Sequence, residues 1–142
     1  PVAAKGGTVV PAEKLSCVSS TWTLSATDPV EGWCHTGLGR DPKGNDTFVE
    51  YLLDVATAGE YDVSILARSS DGKATVSFEA QGKEGERQGF AKVNAWQTMG
   101  PSRMSLPKGT ARVRVYVRNG SQRGYAIEPC VTLSKMRLVP VR

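Results

Sequence analysis

The chain has a single histidine, His35, and only three cysteines, Cys17, Cys34 and Cys130, none in a Cys-x-x-Cys pair. That excludes a zinc knuckle and a thioredoxin-type redox motif. Cys34 and His35 are sequence neighbours, and neighbours on extended backbone point to opposite faces, so they do not form a nucleophile and its base. No Gly-x-Ser-x-Gly, His-Glu-x-x-His or Walker loop is present. "GLGRDP", from Gly37, lacks the third glycine and the strand-to-helix setting of a dinucleotide site. No apolar run approaches the roughly 18 residues that span a bilayer. No segment carries the i, i+3, i+4, i+7 stripe of an amphipathic helix.

The charge is also modest. The 142 residues carry a net +4, which permits an anionic partner such as an acidic polysaccharide, nucleic acid or a membrane surface, but the clustered basic block of a nucleic-acid arm is absent, and neither nucleic acid nor a membrane is expected as partner. Fourteen carboxylates are available, and glycoside hydrolysis needs two of them about 5 to 10 Å apart. Asp62, Glu79, Glu84 and Glu86 fall at strand or turn positions that read as ordinary surface charge, and no pair stands out. The chain is expected not to be an enzyme.

What is present is alternation. "TFVEYLLDV" (Thr47–Val55) puts Val49, Tyr51, Leu53 and Val55 on one face, and "EYDVSILAR" puts Tyr61, Val63, Ile65 and Ala67 on one face. With Ala58-Gly59 between them, the two read as a hairpin. After the Asp71-Gly72 turn, Ala74, Val76, Phe78 and Ala80 alternate with polar residues as a third strand of the same meander. "TARVRVYVRN" faces Ala111, Val113, Val115 and Val117 one way and Arg112, Arg114, Tyr116 and Arg118 the other. That basic row is either an exposed sheet face, which we favour, or a second, electrostatic binding surface. In "CVTLSKMRLVPV", Val131 and Leu133 are out of phase with Met136 and Leu138, which predicts a bulge near Ser134-Lys135. "AEKLSCV" is a short strand candidate.

Several short strands at roughly 8 to 12 residue spacing predict an all-β fold, an antiparallel β-sandwich of jelly-roll type. Residues 1–10 read as a flexible linker and 11–142 as the sandwich. The exception is the stretch from Ser19 to Asp46, far longer than a usual connection of about 4 to 6 residues; it holds Trp22, Trp33 and His35, and long loops on rigid sandwiches tend to carry function. The chain begins Pro-Val-Ala-Ala-Lys-Gly-Gly, without an initiator Met or an apolar signal segment, so it reads as a mature chain or a module cut from a longer protein.

Taken in order, Ala12-Glu13, "TFVEYLLDVATAGEYDVSILARSS", "AWQTM" (residues 95–99), "LPKGTARVRVYV" and "VTLSKMRLVPV" resemble the carbohydrate-binding modules of the family 6 and family 35 type, which are galactose-binding-like β-sandwiches. The resemblance covers roughly residues 12–140, and it rests on order and spacing. It implies a secreted, monomeric, non-catalytic module that binds a polysaccharide or oligosaccharide and serves a catalytic domain in the same parent chain. Three positions depart from the family pattern: Leu66 stands where an Arg is usual, with Arg68 two residues on and on the same face; Met99 replaces the second tryptophan of a Trp-x-x-Trp pair; and Thr132-Leu133-Ser134 replaces Asn-Leu-Asp. Glu13 would keep one carboxylate of the family's structural calcium site while its aspartate partner is lost, and calcium takes six to eight oxygens. No cofactor is therefore expected to be required, with Glu128 the substitute ligand to consider.

The resemblance also implies a pairing for the cysteines. If the first and last strands pair with Glu13 opposite Ser134, Cys17 falls opposite Cys130 at disulfide distance; this leaves Cys34 as a thiol, and a pairing through Cys34 is the rival. A bridge would agree with an extracellular home. For the sugar site the resemblance implies three segments at one end of the sandwich: the long loop with Trp33, His35 and Arg40; the approach to β-structure at Asn94 and Trp96; and the loop with Asn119, Arg123 and Tyr125. Such a site joins an aromatic platform, on which the C–H face of a sugar packs, to polar groups that read hydroxyls. Arg is suited to a carboxylate or sulfate. Trp22 alternates with Leu24 as a core residue would. Trp33 is open between platform and core, and Trp96 is favoured as a platform. The alternative for the whole chain is an adhesion or structural sandwich that contacts protein or spaces domains, with its tryptophans buried.

Overall fold

The computed structural model describes residues 8–11, 17–18, 22–24, 30–32, 47–69, 72, 74–118 and 131–141. Twelve strands are formed among them: β1 Thr8–Pro11, β2 Cys17–Val18, β3 Trp22–Leu24, β4 Val30–Gly32, β5 Thr47–Val55, β6 Gly59–Ser69, β7 Thr75–Ala80, β8 Lys83–Glu84, β9 Gln88–Gly89, β10 Gln97–Leu106, β11 Gly109–Arg118 and β12 Val131–Pro140. They make two antiparallel six-stranded sheets. One runs β10-β6-β12-β4-β3 with β1 also on β12, and the other runs β2-β5-β11-β7-β8 with β9 also on β7. The inner faces of both sheets close one core in which Tyr51, Val63, Ile65, Phe78, Val115, Leu133, Met136 and Leu138 are essentially sealed from water.

The predicted inward faces are those observed. Val49, Tyr51, Leu53 and Val55 are buried on β5, Tyr61, Val63, Ile65 and Ala67 on β6, Ala74, Val76, Phe78 and Ala80 on and just before β7, and Ala111, Val113, Val115 and Val117 on β11. The pairing is not the one expected. β5 pairs β11 and β2, whereas β6 pairs β10 and β12, so β5 and β6 face each other across the core instead of forming a hairpin, and β7 returns to the sheet of β5. A hairpin and an arch between sheets bury the same alternate residues, because either way one face of each strand points to the core. The local hairpin is β7–β8, turned by Gln81 and Gly82, whose φ angles of 52° and 76° fit the two-residue turn that matches strand twist.

The predicted bulge on β12 is present. Its register with β6 shifts between Leu133 and Lys135, and there the opposite edge of β12 changes partner, from β4 along Val131–Leu133 to β1 along Lys135–Leu138. β1 therefore begins at Thr8, inside the stretch read as a linker. β3 and β4 form an antiparallel pair within the stretch read as one long loop. In β2, Cys17 is paired with Glu50 of β5 in the other sheet, so the register that would set it opposite Cys130 does not apply to this strand. Cys34 and Cys130 lie outside the described residues.

β10 had no counterpart in the sequence reading, because Gly100-Pro101 interrupts it and proline lacks the ladder donor. The strand absorbs the dipeptide by a register shift between Met99 and Ser102. Gly100 is required there: its φ is +115°, and a Cβ would come 2.7 Å from the Val63 carbonyl oxygen.

On the outer face of the β5/β11 sheet two arginines of the basic row share one carboxylate. Arg114 and Arg112 both reach Glu50, at 2.8 and 3.6 Å, and Arg114 also lies 4.3 Å above the Phe48 ring. The Tyr116 hydroxyl, then Glu50, hold the Arg114 guanidinium protonated even beyond the usual arginine range. The row is thus a cross-strand ion and aromatic cluster, closer to the exposed-face reading than to an open binding surface.

Candidate functional site

Strand registers gather the relevant chain ends. Gly32 at the end of β4 pairs Val131 at the start of β12, Val131 pairs Ser69 at the end of β6, and Gln97 at the start of β10 pairs Ala67. In the other sheet Val117, beside the end of β11, pairs Thr47 and Val76. The end of β4, the start of β10 and the end of β11 therefore lie at one end of the sandwich. Trp33, His35, Arg40, Asn119, Arg123 and Tyr125 lie outside the described residues, as do Glu13 and Glu128. Asn94 and Trp96 are described.

The loop that carries these two is built by one side chain that the sequence reading passed over. The Gln97 Oε1 accepts from the backbone N–H groups of Ala91 and Lys92 at 2.8 and 3.0 Å, while its Nε2 donates to the carbonyls of Lys92 and Ala95 at 2.8 and 3.0 Å. All four capacities that this amide uses go to its own loop. Asn94 sits in the left-handed region, φ 53°, which asparagine tolerates better than most residues. Its N–H donates to the Ser69 carbonyl at 2.7 Å. The Ser69 hydroxyl in turn accepts from Gly72 N–H at 3.0 Å. Asn94 is thus a hinge between the loop and the end of β6, a backbone role that the search for sugar-reading amides did not foresee.

This frame places Val93 and Trp96 in solvent, 65% and 42% exposed. They are two of the four large apolar side chains left exposed among the described residues, and they share one loop. Met99, three residues on, turns inward and is buried in the core. The Arg68 Cζ lies 5.2 Å from the centroid of the Trp96 ring, a cation–π contact of about 0.5 to 1 kcal/mol at such a site. Arg68 meets no carboxylate among the described residues. The arrangement is an indole with a guanidinium over its ring, a second exposed apolar side chain on the same loop, and a loop locked by its own amide.

Elsewhere, a shallow groove of about 260 Å3 runs along the flank, lined by Gln81, Lys83, Glu84, Arg103 and Met104 among others. Its charges are mostly engaged: Glu84 accepts from the Ser77 hydroxyl at 2.6 Å and pairs Arg87 at 3.3 Å, and Arg103 pairs Asp62 at 3.3 Å. No cluster of three or more His, Cys, Asp or Glu side chains that could hold a metal occurs among the described residues. Ser134, at the β12 bulge, brings no carboxylate, and the candidate ligands Glu13 and Glu128 lie outside the described residues.

A two-sheet antiparallel sandwich with an aromatic loop at one end is the class defined so far. No protein-family model matches the sequence, and no curated protein matches it. Solved structures do match, among them carbohydrate-binding modules of families 6, 35 and 36. A GH26-CBM35 β-(1,4)-mannanase from Podospora anserina superposes with a TM-score of 0.70 at 12% identity over 97% of this chain, which spans 28% of that protein. A family 6 module of Cellvibrio mixtus lichenase 5A, solved with cellotriose, gives 0.61 at 14% identity, with 95% of this chain and 98% of that one covered. A family 36 module solved with calcium and xylotriose gives 0.65 at 13% identity, with 92% and 98% covered. The resemblance read from the sequence thus holds at the level of the fold.

Proposed function

We propose that the chain is a non-catalytic carbohydrate-binding module that binds its glycan at the Trp96 end of the sandwich. The observation that carries this is Trp96 itself, an exposed indole on a loop stapled by Gln97. A ring held this way loses little freedom when a sugar packs against it, which is what makes a pre-organised aromatic an effective platform. Arg68 beside the ring adds a planar cation suited to a carboxylate or sulfate, and it supports an acidic polysaccharide as the ligand. Trp33, His35, Arg40, Asn94, Asn119, Arg123 and Tyr125 complete the proposed site, with Asn94 acting through the loop. In this reading the module is secreted and monomeric and targets an attached polysaccharide-degrading domain to its substrate. The adhesion or spacer alternative expects buried tryptophans, and Trp96 is exposed.

Affinity electrophoresis against galactomannan, xylan, β-glucan and polygalacturonate tests the reading. At least one should retard the wild-type chain, and Trp96→Ala should abolish the retardation while the melting temperature stays within a few degrees. Undiminished retardation of Trp96→Ala would move the site away from this loop.

A further inference from the structure

Residues 90–96 carry the chain from one sheet to the other, because β9 pairs β7 whereas β10 pairs β6. The tip of this crossover is braced by Gln97, by the bond from Asn94 to Ser69, and by Gly72, whose backbone lies so close to Val93 that a Cβ there would come 2.8 Å from Val93 Cγ2. The foot is built differently. β10 is the edge strand of its sheet, and the register shift between Met99 and Ser102 separates its first three residues, Gln97, Thr98 and Met99, from the rest of its ladder on β6. Trp96 therefore stands on a three-residue piece of ladder at a sheet edge, the kind of segment that opens before the core does. Met99 anchors the piece in the core, but the Gly100-Pro101 step that follows has no register partner on β6.

One side chain closes that gap. The Gly100 N–H donates to the Gln88 Oε1 at 2.8 Å in a partly buried setting. Gln88 lies in β9, opposite Val76 of β7, so the bond joins one sheet to the other across the foot of the crossover, between the strand that enters the Trp96 loop and the strand that leaves it. A backbone donor at a register shift has lost its ladder acceptor and needs another. Gln88 supplies it, and a single partly buried bond of this kind favours the closed foot by about two- to tenfold.

We infer that Gln88 is a positioning residue for glycan binding: it touches no sugar, but by holding Gly100 it fixes the short ladder piece on which the Trp96 loop stands, and so sets the fraction of molecules whose platform is ready to bind. The inference rests on Trp96 being a sugar platform. Affinity scales with the competent fraction, so loosening the foot weakens binding of whatever glycan Trp96 takes, while the core ladders of β6 and β11 keep their strength.

The test compares the wild-type chain with Gln88→Met, Gln88→Glu and, as control, Arg87→Ala. Met has a similar length without an acceptor, Glu keeps an acceptor at the same reach, and Arg87→Ala removes a salt bridge to Glu84 from the same segment. Each is run in affinity electrophoresis against galactomannan, xylan, β-glucan and polygalacturonate, and amide hydrogen exchange is followed in each. Gln88→Met should lose about three- to tenfold in affinity for a glycan that retards the wild type, and its Gly100, Ala91 and Lys92 amides should exchange faster by a similar factor, with those of β11 protected as before. Gln88→Glu and Arg87→Ala should stay within about twofold of wild type in both measurements. An equal loss in Gln88→Glu or Arg87→Ala, faster exchange confined to Gly100, or faster exchange throughout β11 overturns the inference. Full glycan binding by Gln88→Met overturns it while leaving the sugar-binding reading intact, and no retardation of the wild type by any of the four glycans removes both.

Discussion

Replacing Gln97 by alanine removes four hydrogen bonds from the Ala91–Trp96 loop and nothing from the core. Each such bond is worth about 0.5 to 1.5 kcal/mol net, and at an exposed site water takes over part of the lost contacts. The low end gives about 2 kcal/mol for the loop conformation, or about 30-fold in its population relative to open forms. The sheets keep their ladders, so the melting temperature should move by only a few degrees, while affinity for any glycan bound at Trp96 drops by up to the same factor because the competent fraction falls. Amide hydrogen exchange reads the loop directly: the Ala91 and Lys92 N–H groups, which donate to Gln97, should exchange faster, with the amides of β6 and β11 unaffected. Unchanged protection at Ala91 and Lys92 would refute the staple. Gln97→Glu sharpens the test, since it keeps an acceptor but sets a carboxylate against the carbonyls of Lys92 and Ala95. The Glu variant should keep the bonds from the Ala91 and Lys92 N–H groups and lose the two that Nε2 donates, so those amides should stay protected while glycan affinity still falls.

Other consequences follow from the core and the sheet faces. Phe78→Ala empties a fully buried ring position and should cost about 3 to 5 kcal/mol in urea unfolding; a loss under 1 kcal/mol would contradict the described packing. Gly100→Ala forces a Cβ against the Val63 carbonyl at a φ that L residues avoid, and should destabilise by about 2 kcal/mol or more in the same assay. Glu50→Gln leaves Arg112 and Arg114 without their shared carboxylate and should lower stability by about 1 to 2 kcal/mol, less at high salt. A salt-independent loss would argue that packing, not charge, is the cause.

How much of this was legible beforehand depends on the range of the interaction involved. Alternation along β5, β6, β7 and β11 names the buried residues because side-chain direction on extended backbone is a local property of period two. The β12 bulge was legible for the same reason, as a change of phase between Leu133 and Met136. Strand partners were not: β5 and β6 look like a hairpin in sequence, yet each finds its ladder with strands far along the chain, β11 and β12. β10 was hidden by Gly100-Pro101, whose tolerance depends on the register shift that the neighbouring strand permits. In the site, the tryptophan itself was legible as an unusual exposed aromatic candidate, but Gln97 reads as an ordinary polar residue until the loop folds back on it, and Asn94 reads as a hydroxyl reader until its φ is known.

The sequence by itself therefore determined the all-β class, the inward faces, the bulge and the place of Trp96 in the order of motifs, all of which follow from short-range stereochemistry. Only the tertiary structure decided which strands share a sheet, that Arg112 and Arg114 share Glu50, and that Lys135 and Arg137 stand on the same face as Arg68. Those facts depend on the register between distant segments, where a shift of one residue turns a charge from solvent to core.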